Sequence, residues 1–123
     1  MASELSLAGL TISFSKSGSP SVELTVGTLA ITVSGAQIMD NVQSVGTSEE
    51  AVLLGDVAAG GVWFVQNLDS TNFVSIRSGT GATDFIRLNA GEWALFRCHG
   101  SASAPFAIAD TSAVNVRFLR FDA

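Results

Sequence analysis

The chain has 123 residues, of which 47% are hydrophobic and 14% charged, with a net charge of −5. That length holds one core and leaves no room for a second domain. Its few basic residues form no cluster beyond Arg117 and Arg120, so direct nucleic-acid binding is not expected. No stretch approaches the ~20 apolar residues of a membrane-spanning helix. The acidic opening MASELSLAGL lacks the basic-then-apolar order of a secretory signal. Cys98, the single cysteine, excludes an intrachain disulfide and a cysteine-based metal site. With charge well below the ~25% of an average soluble protein, part of the apolar surface is expected to be hidden against other chains.

Period-two alternation dominates from the start. Residues 1–9 alternate weakly, and Ala8-Gly9 interrupts Leu5, Leu7 and Leu10. This segment reads as an arm, mobile unless docked on a strand edge of another chain. Residues 10–123 read as a single β-sandwich domain. Leu10, Ile12 and Phe14 alternate with small polar residues, 18–21 form a turn, and Val22, Leu24 and Val26 alternate again. Gly27-Thr28 then reverses the chain into Leu29, Ile31 and Val33. Val42 and Val45 suggest a short strand within 36–46. At 47–54, Thr47 and Glu50 have capping-box spacing between Gly46 and Gly55. Either a helix of at most two turns or a loop entering a strand at 51–54 fits this run.

Residues 61–97 hold both tryptophans and four of the eight phenylalanines, so most large aromatic surface lies in one antiparallel unit. Val62–Gln66 is apolar almost throughout, as a strand covered on both faces would be. Residues 67–72 make a turn rich in Asn and Asp, whose short side chains bond nearby amides. Strands at 73–77, 85–88, 93–97, 105–109 and 114–121 follow. The last has Val114, Val116 and Phe118 on one face and Leu119 and Phe121 on the other, so it is central or at an interface. About nine to eleven short strands at this spacing predict an all-β, antiparallel sandwich or barrel, jelly-roll-like.

No chemical constellation stands out. The candidate carboxylates Asp56, Asp69, Asp84, Glu92 and Asp110 sit in turns or at strand ends, where acids are ordinarily solvated. Asp69 and Asp84 lack EF-hand spacing for calcium. Cys98 and His99 are adjacent on a strand and point to opposite faces, which disfavours a nucleophile–base pair. The loop at 78–83 is followed by a strand rather than the helix that a phosphate cradle needs. No catalysis and no cofactor are expected. Trp63 and Trp93 suit either core and interface anchoring or stacking on sugar rings.

The runs NVQSVGTSEEA at 41–51, LGDV at 54–57, NLDSTNFV at 67–74 and LNAGEWALFR at 88–97 resemble small structural proteins of tailed-bacteriophage virions. The likeness covers residues 41–121; residues 1–40 share only their β character. It implies a non-enzymatic capsid decoration, or cement, protein on the head exterior, made in the bacterial host cytoplasm. Its implied partners are the major capsid protein and copies of itself, a trimer foremost, without membrane or nucleic acid. Alternatives are a tail, baseplate or head-fibre component, or a carbohydrate-binding module using an exposed tryptophan. The residues expected at interfaces are Leu5, Leu7, Trp63, Phe73, Leu119 and Phe121.

Overall fold

The computed structural model describes residues 3–18, 20–35, 37–54, 59–100 and 103–122, and every regular element among them is a strand. The protein is all-β, its strands paired antiparallel throughout. The described residues form twelve strands, one more than the highest expected number, because residues 3–7 also pair. The chain divides between Ser34 and Gly35 into two compact units, a different boundary from the one expected after residue 9.

The first unit is a ribbon. Strands β1 (Ser3–Leu7), β2 (Leu10–Phe14), β3 (Val22–Val26) and β4 (Leu29–Val33) form two two-stranded sheets, β1 with β4 and β2 with β3. The register is continuous: Ser3 faces Val33, Leu7 faces Leu29, Leu10 faces Val26 and Phe14 faces Val22. One long hairpin therefore runs through both sheets, broken at Ala8-Gly9 and Gly27-Thr28. Gly9 has φ +80°, a left-handed conformation that costs an ordinary residue about 1 kcal/mol or more. At this break the apolar positions change parity, from odd (Leu5, Leu7, Leu29, Ile31) to even (Leu10, Ile12, Leu24, Val26). The expected arm is thus a strand paired along one edge with β4 in its own unit.

The second unit holds β5 (Ile38–Val45), β6 (Glu50–Ala51), β7 (Gly61–Asn67), β8 (Val74–Arg77), β9 (Asp84–Leu88), β10 (Trp93–Cys98), β11 (Phe106–Ala109) and β12 (Val114–Phe121). They form two four-stranded sheets, ordered β10-β7-β12-β5 and β6-β11-β8-β9. Pairing β5 with β12, β6 with β11, β7 with β10 and β8 with β9 is the pattern of a long hairpin rolled upon itself. This is a jelly roll of eight strands. Residues 47–54, open between helix and strand, enter the two-residue β6. Glu50 does not cap a helix; its Oε2 accepts the Gly46 N–H at 3.1 Å.

Alternation along β12 explains the core: Val114, Val116 and Phe118 are fully buried, while Asn115 and Arg117 point outward. They cluster with Val45, Val65 and Trp63 of the neighbouring strands and with Val74 of the other sheet. The Trp63 ring stacks on Phe96 and meets Phe118 edge-on, both with centroids 6.4 Å away. Burying a side chain such as Phe118 contributes about 2–3 kcal/mol. Gln43 satisfies its burial by donating to Glu50 and to the Ala51 carbonyl and accepting from Leu53 N–H, which fastens β6 to β5. Gly61 cannot be replaced freely: its φ is +113°, and a Cβ there would lie 2.3 Å from the Phe121 carbonyl oxygen.

Candidate interaction surfaces

Two of the runs that carried the phage resemblance, 67–74 and 88–97, meet in one hydrogen-bonded knot in the second unit. Asn67 is fully buried at the end of β7. Its amide Nδ2 donates to the carbonyls of Asn72 (2.8 Å) and Leu88 (3.0 Å), and its Oδ1 accepts the Asp69 N–H at 2.8 Å. Its backbone N–H donates to Glu92 and its carbonyl accepts from Gly91, locking the 67–72 connection to the 89–92 turn. That turn is type II, with Gly91 at φ +78° and Glu92 N–H closing on Asn89 O. Asp69 Oδ2 accepts the N–H groups of Asn72 (2.7 Å) and Thr71 (3.0 Å), which holds its carboxyl below the ordinary carboxylate range. These residues build turns; a buried, fully paired amide has no spare valence for a ligand.

Two of the remaining candidate acids are similarly engaged. Asp84 pairs with Arg77, Glu92 accepts Asn89 N–H, and Asp110 lies exposed next to β11. Asp56 lies outside the described residues. Glu49, not singled out by sequence, gathers the Gly81 N–H, Arg77 and the Thr80 hydroxyl, and these bonds depress its pKa in that order. It staples the 78–83 loop to the 46–50 segment, contacts across about thirty residues that no local pattern records. Among the described residues, no three His, Cys, Asp or Glu side chains gather in a metal-binding group. Cys98 is half-buried and burial pushes its thiol pKa up, the opposite of what a nucleophile needs. It lines a cleft of about 250 Å³ between β8–β9 and β10, with Ile76, Phe85, Ile86 and Phe96.

Two apolar surfaces remain uncovered, one in each unit. In the first unit, the even positions of β2 and β3 pair Leu10 with Val26, Ile12 with Leu24 and Phe14 with Val22. All six side chains are 40–52% exposed, with no charge among them. In the second unit, the outer face of the β10-β7-β12-β5 sheet carries a row of Leu95, Phe64 and Leu119 across three strands. Trp93 tilts against Phe64 at 5.6 Å, and Ile38 and Val42 extend the patch on β5. Charge on this face includes an internal ion pair, Arg117 Nε and Nη2 donating to the two Asp40 oxygens at 3.0 and 2.8 Å, and Arg97, exposed on β10 two residues beyond Leu95. An outer sheet face of this kind is ordinarily polar.

The predicted interface residues distribute unevenly. Leu119 and Phe121 lie on the outer sheet face, half-buried, with Leu119 opposite Phe64 and Phe121 opposite Ile38. Leu5 and Leu7 are half-buried in β1. Phe73 is half-buried beneath the Arg87 guanidinium, 3.7 Å from its ring centre. Trp63 must be reassigned: it is 0% exposed, with its indole N–H donated to Ala59 O at 2.7 Å. β7 is apolar at both parities, so alternation could not say which of its faces, that of Trp63 or that of Phe64, turns inward. The exposed tryptophan is Trp93, at 49%. Sequence reading missed Ile12, Leu24, Ile38, Val42 and Leu95 as surface groups, because an apolar alternating position normally signals core. No protein-family model matches the chain, and no curated protein or solved structure shows significant similarity to it.

Proposed function

We propose that this chain is a non-enzymatic structural protein of a tailed-phage virion, a capsid decoration protein bound across major capsid subunits on the head exterior. The observation that carries the reading is the apolar outer face of the β10-β7-β12-β5 sheet on a charge-poor jelly roll. A fold buries such a face only by assembling. The jelly roll recurs in viral shells, though also in lectins and cupins, so the fold alone supports the reading by analogy. The sequence resemblance over residues 41–121 supports a virion protein, with the head exterior the first choice and a tail or baseplate place the alternative. A protein that binds only the assembled shell stabilises it by its own binding free energy. An oligomer, foremost a trimer, bridging several capsomers gains further through effective concentration. The test is co-sedimentation of purified protein with heads and, separately, with tails of the encoding phage. Decoration of heads supports the reading; binding to tails alone transfers it to a tail or baseplate component. Protein left in the supernatant with both overturns it.

Trp93 favours a second reading. Its exposed ring beside Phe64 makes a two-aromatic platform of the kind on which pyranose rings stack. A carbohydrate module would show tryptophan fluorescence quenched by added sugars in the native chain but not in Trp93→Ala. Quenching that is absent from both removes it.

A further inference from the structure

We propose that copies of this chain join head to tail, the apolar face of the β2–β3 hairpin of one copy lying on the outer face of the β10-β7-β12-β5 sheet of the next. The proposal deepens the homo-oligomer of the reading above and rests on it only for what the assembly is for. Both surfaces are sheet faces, and sheets pack face to face about 10 Å apart when both faces are apolar. The hairpin offers Ile12, Phe14 and Leu24 with their cross-strand partners; the sheet offers Trp93, Leu95, Phe64 and Leu119.

The sizes match. From the fractional exposures, each face presents on the order of 500 Å², so joining one of each removes about 1,000 Å² in total, where specific interfaces begin. Charge permits it as well. The hairpin face carries none, since Glu23 lies at the opposite parity, facing Ser13. Arg117 and Asp40 neutralise each other on the sheet, and Arg97, exposed at the end of the edge strand β10, stays at the solvated rim.

A contact between two hairpins would also hide the first face, but it would leave the sheet bare in every copy. Two sheets in contact would leave the hairpins bare, and a lone two-stranded hairpin is marginal in water. Hairpin on sheet covers both surfaces with a single repeated contact. Such a heterologous contact closes into a ring if its rotation permits.

The test uses the full chain. Wild type should sediment as an oligomer at micromolar concentration. Ile12→Asp with Leu24→Asp should give a monomer, and so should Ile38→Asp with Leu95→Asp. Mixing these two double variants should restore a dimer, because one intact hairpin and one intact sheet remain between them. A monomeric wild type, an oligomeric double variant or a mixture that stays monomeric each overturns the proposal. Should an acidic variant unfold, cysteine trapping decides. In Cys98→Ser chains, Leu24→Cys mixed with Leu95→Cys should form mixed disulfide dimers on mild oxidation. Dimers of Leu24→Cys alone, or none, contradict it.

Discussion

The two units of this chain are made of the same kind of strand but solve the problem of burial differently. Residues 35–123 roll eight strands around Trp63, Phe118 and a set of valines with essentially no exposure. Residues 1–34 make four strands of equally apolar alternation, and every residue of β2 and β3 is exposed. Alternation therefore measures how much surface a strand must hide, not where it hides it. A roll closes over its own inner face. A ribbon has nothing to close over, and its apolar ladder is available to another molecule.

The largest effect that would sharpen this contrast is a large-to-small change made in each unit. Trp63→Ala should cost about 3–5 kcal/mol, because it empties the space between Phe96 and Phe118. Ile12→Ala in the ribbon should leave the melting of the roll within about 0.5 kcal/mol of wild type. Denaturant titration followed by far-ultraviolet circular dichroism reads both, and equal losses would erase the distinction.

Next in size are Asn67→Ala and Gly61→Ala. Removing the Asn67 amide leaves the Leu88 and Asn72 carbonyls and the Asp69 N–H without their partner, a loss of about 2–3 kcal/mol. Gly61→Ala should cost about 2 kcal/mol or more, because it combines a left-handed φ with a clash against the Phe121 carbonyl. A wild-type melting curve for either would remove its site from the account of the roll.

Acid should produce a smaller, graded effect confined to the roll. Glu49 and Asp69 have pKa values lowered by folding, chiefly through backbone N–H bonds from Gly81 and Asn72 respectively. Their contribution is complete above the ordinary carboxylate range and is lost as pH falls through their lower folded values. Melting temperature should decline on acidification below about pH 4.5, and Asp69→Asn should flatten part of that decline. A pH-independent melt would show that these bonds do not hold the loops.

Strand positions were legible because short apolar runs, Val22–Val26 in the ribbon and Trp93–Cys98 and Val114–Phe121 in the roll, stand between turn residues. The 67–72 connection was also legible, since Asn and Asp announce themselves as turn formers. Three things were not. The pairing of β1 with β4 joins residues up to thirty positions apart, and weak alternation in 1–9 gave no sign of it. The partner set of Glu49 is likewise non-local. Finally, where both parities are apolar, as in β7 and β12, period two cannot choose the inner face, which is why Trp63, expected at an interface, lies in the core. The apolar surfaces that matter for assembly were hidden by the same ambiguity.

The central claim is that the β2–β3 face is covered by another copy, and hydrogen exchange across a dilution series tests it directly. Protection of amides in 10–26 should rise with protein concentration, while amides of β7 and β12 in the core of the roll stay protected at every concentration. Exchange in 10–26 that does not change with concentration would contradict the account.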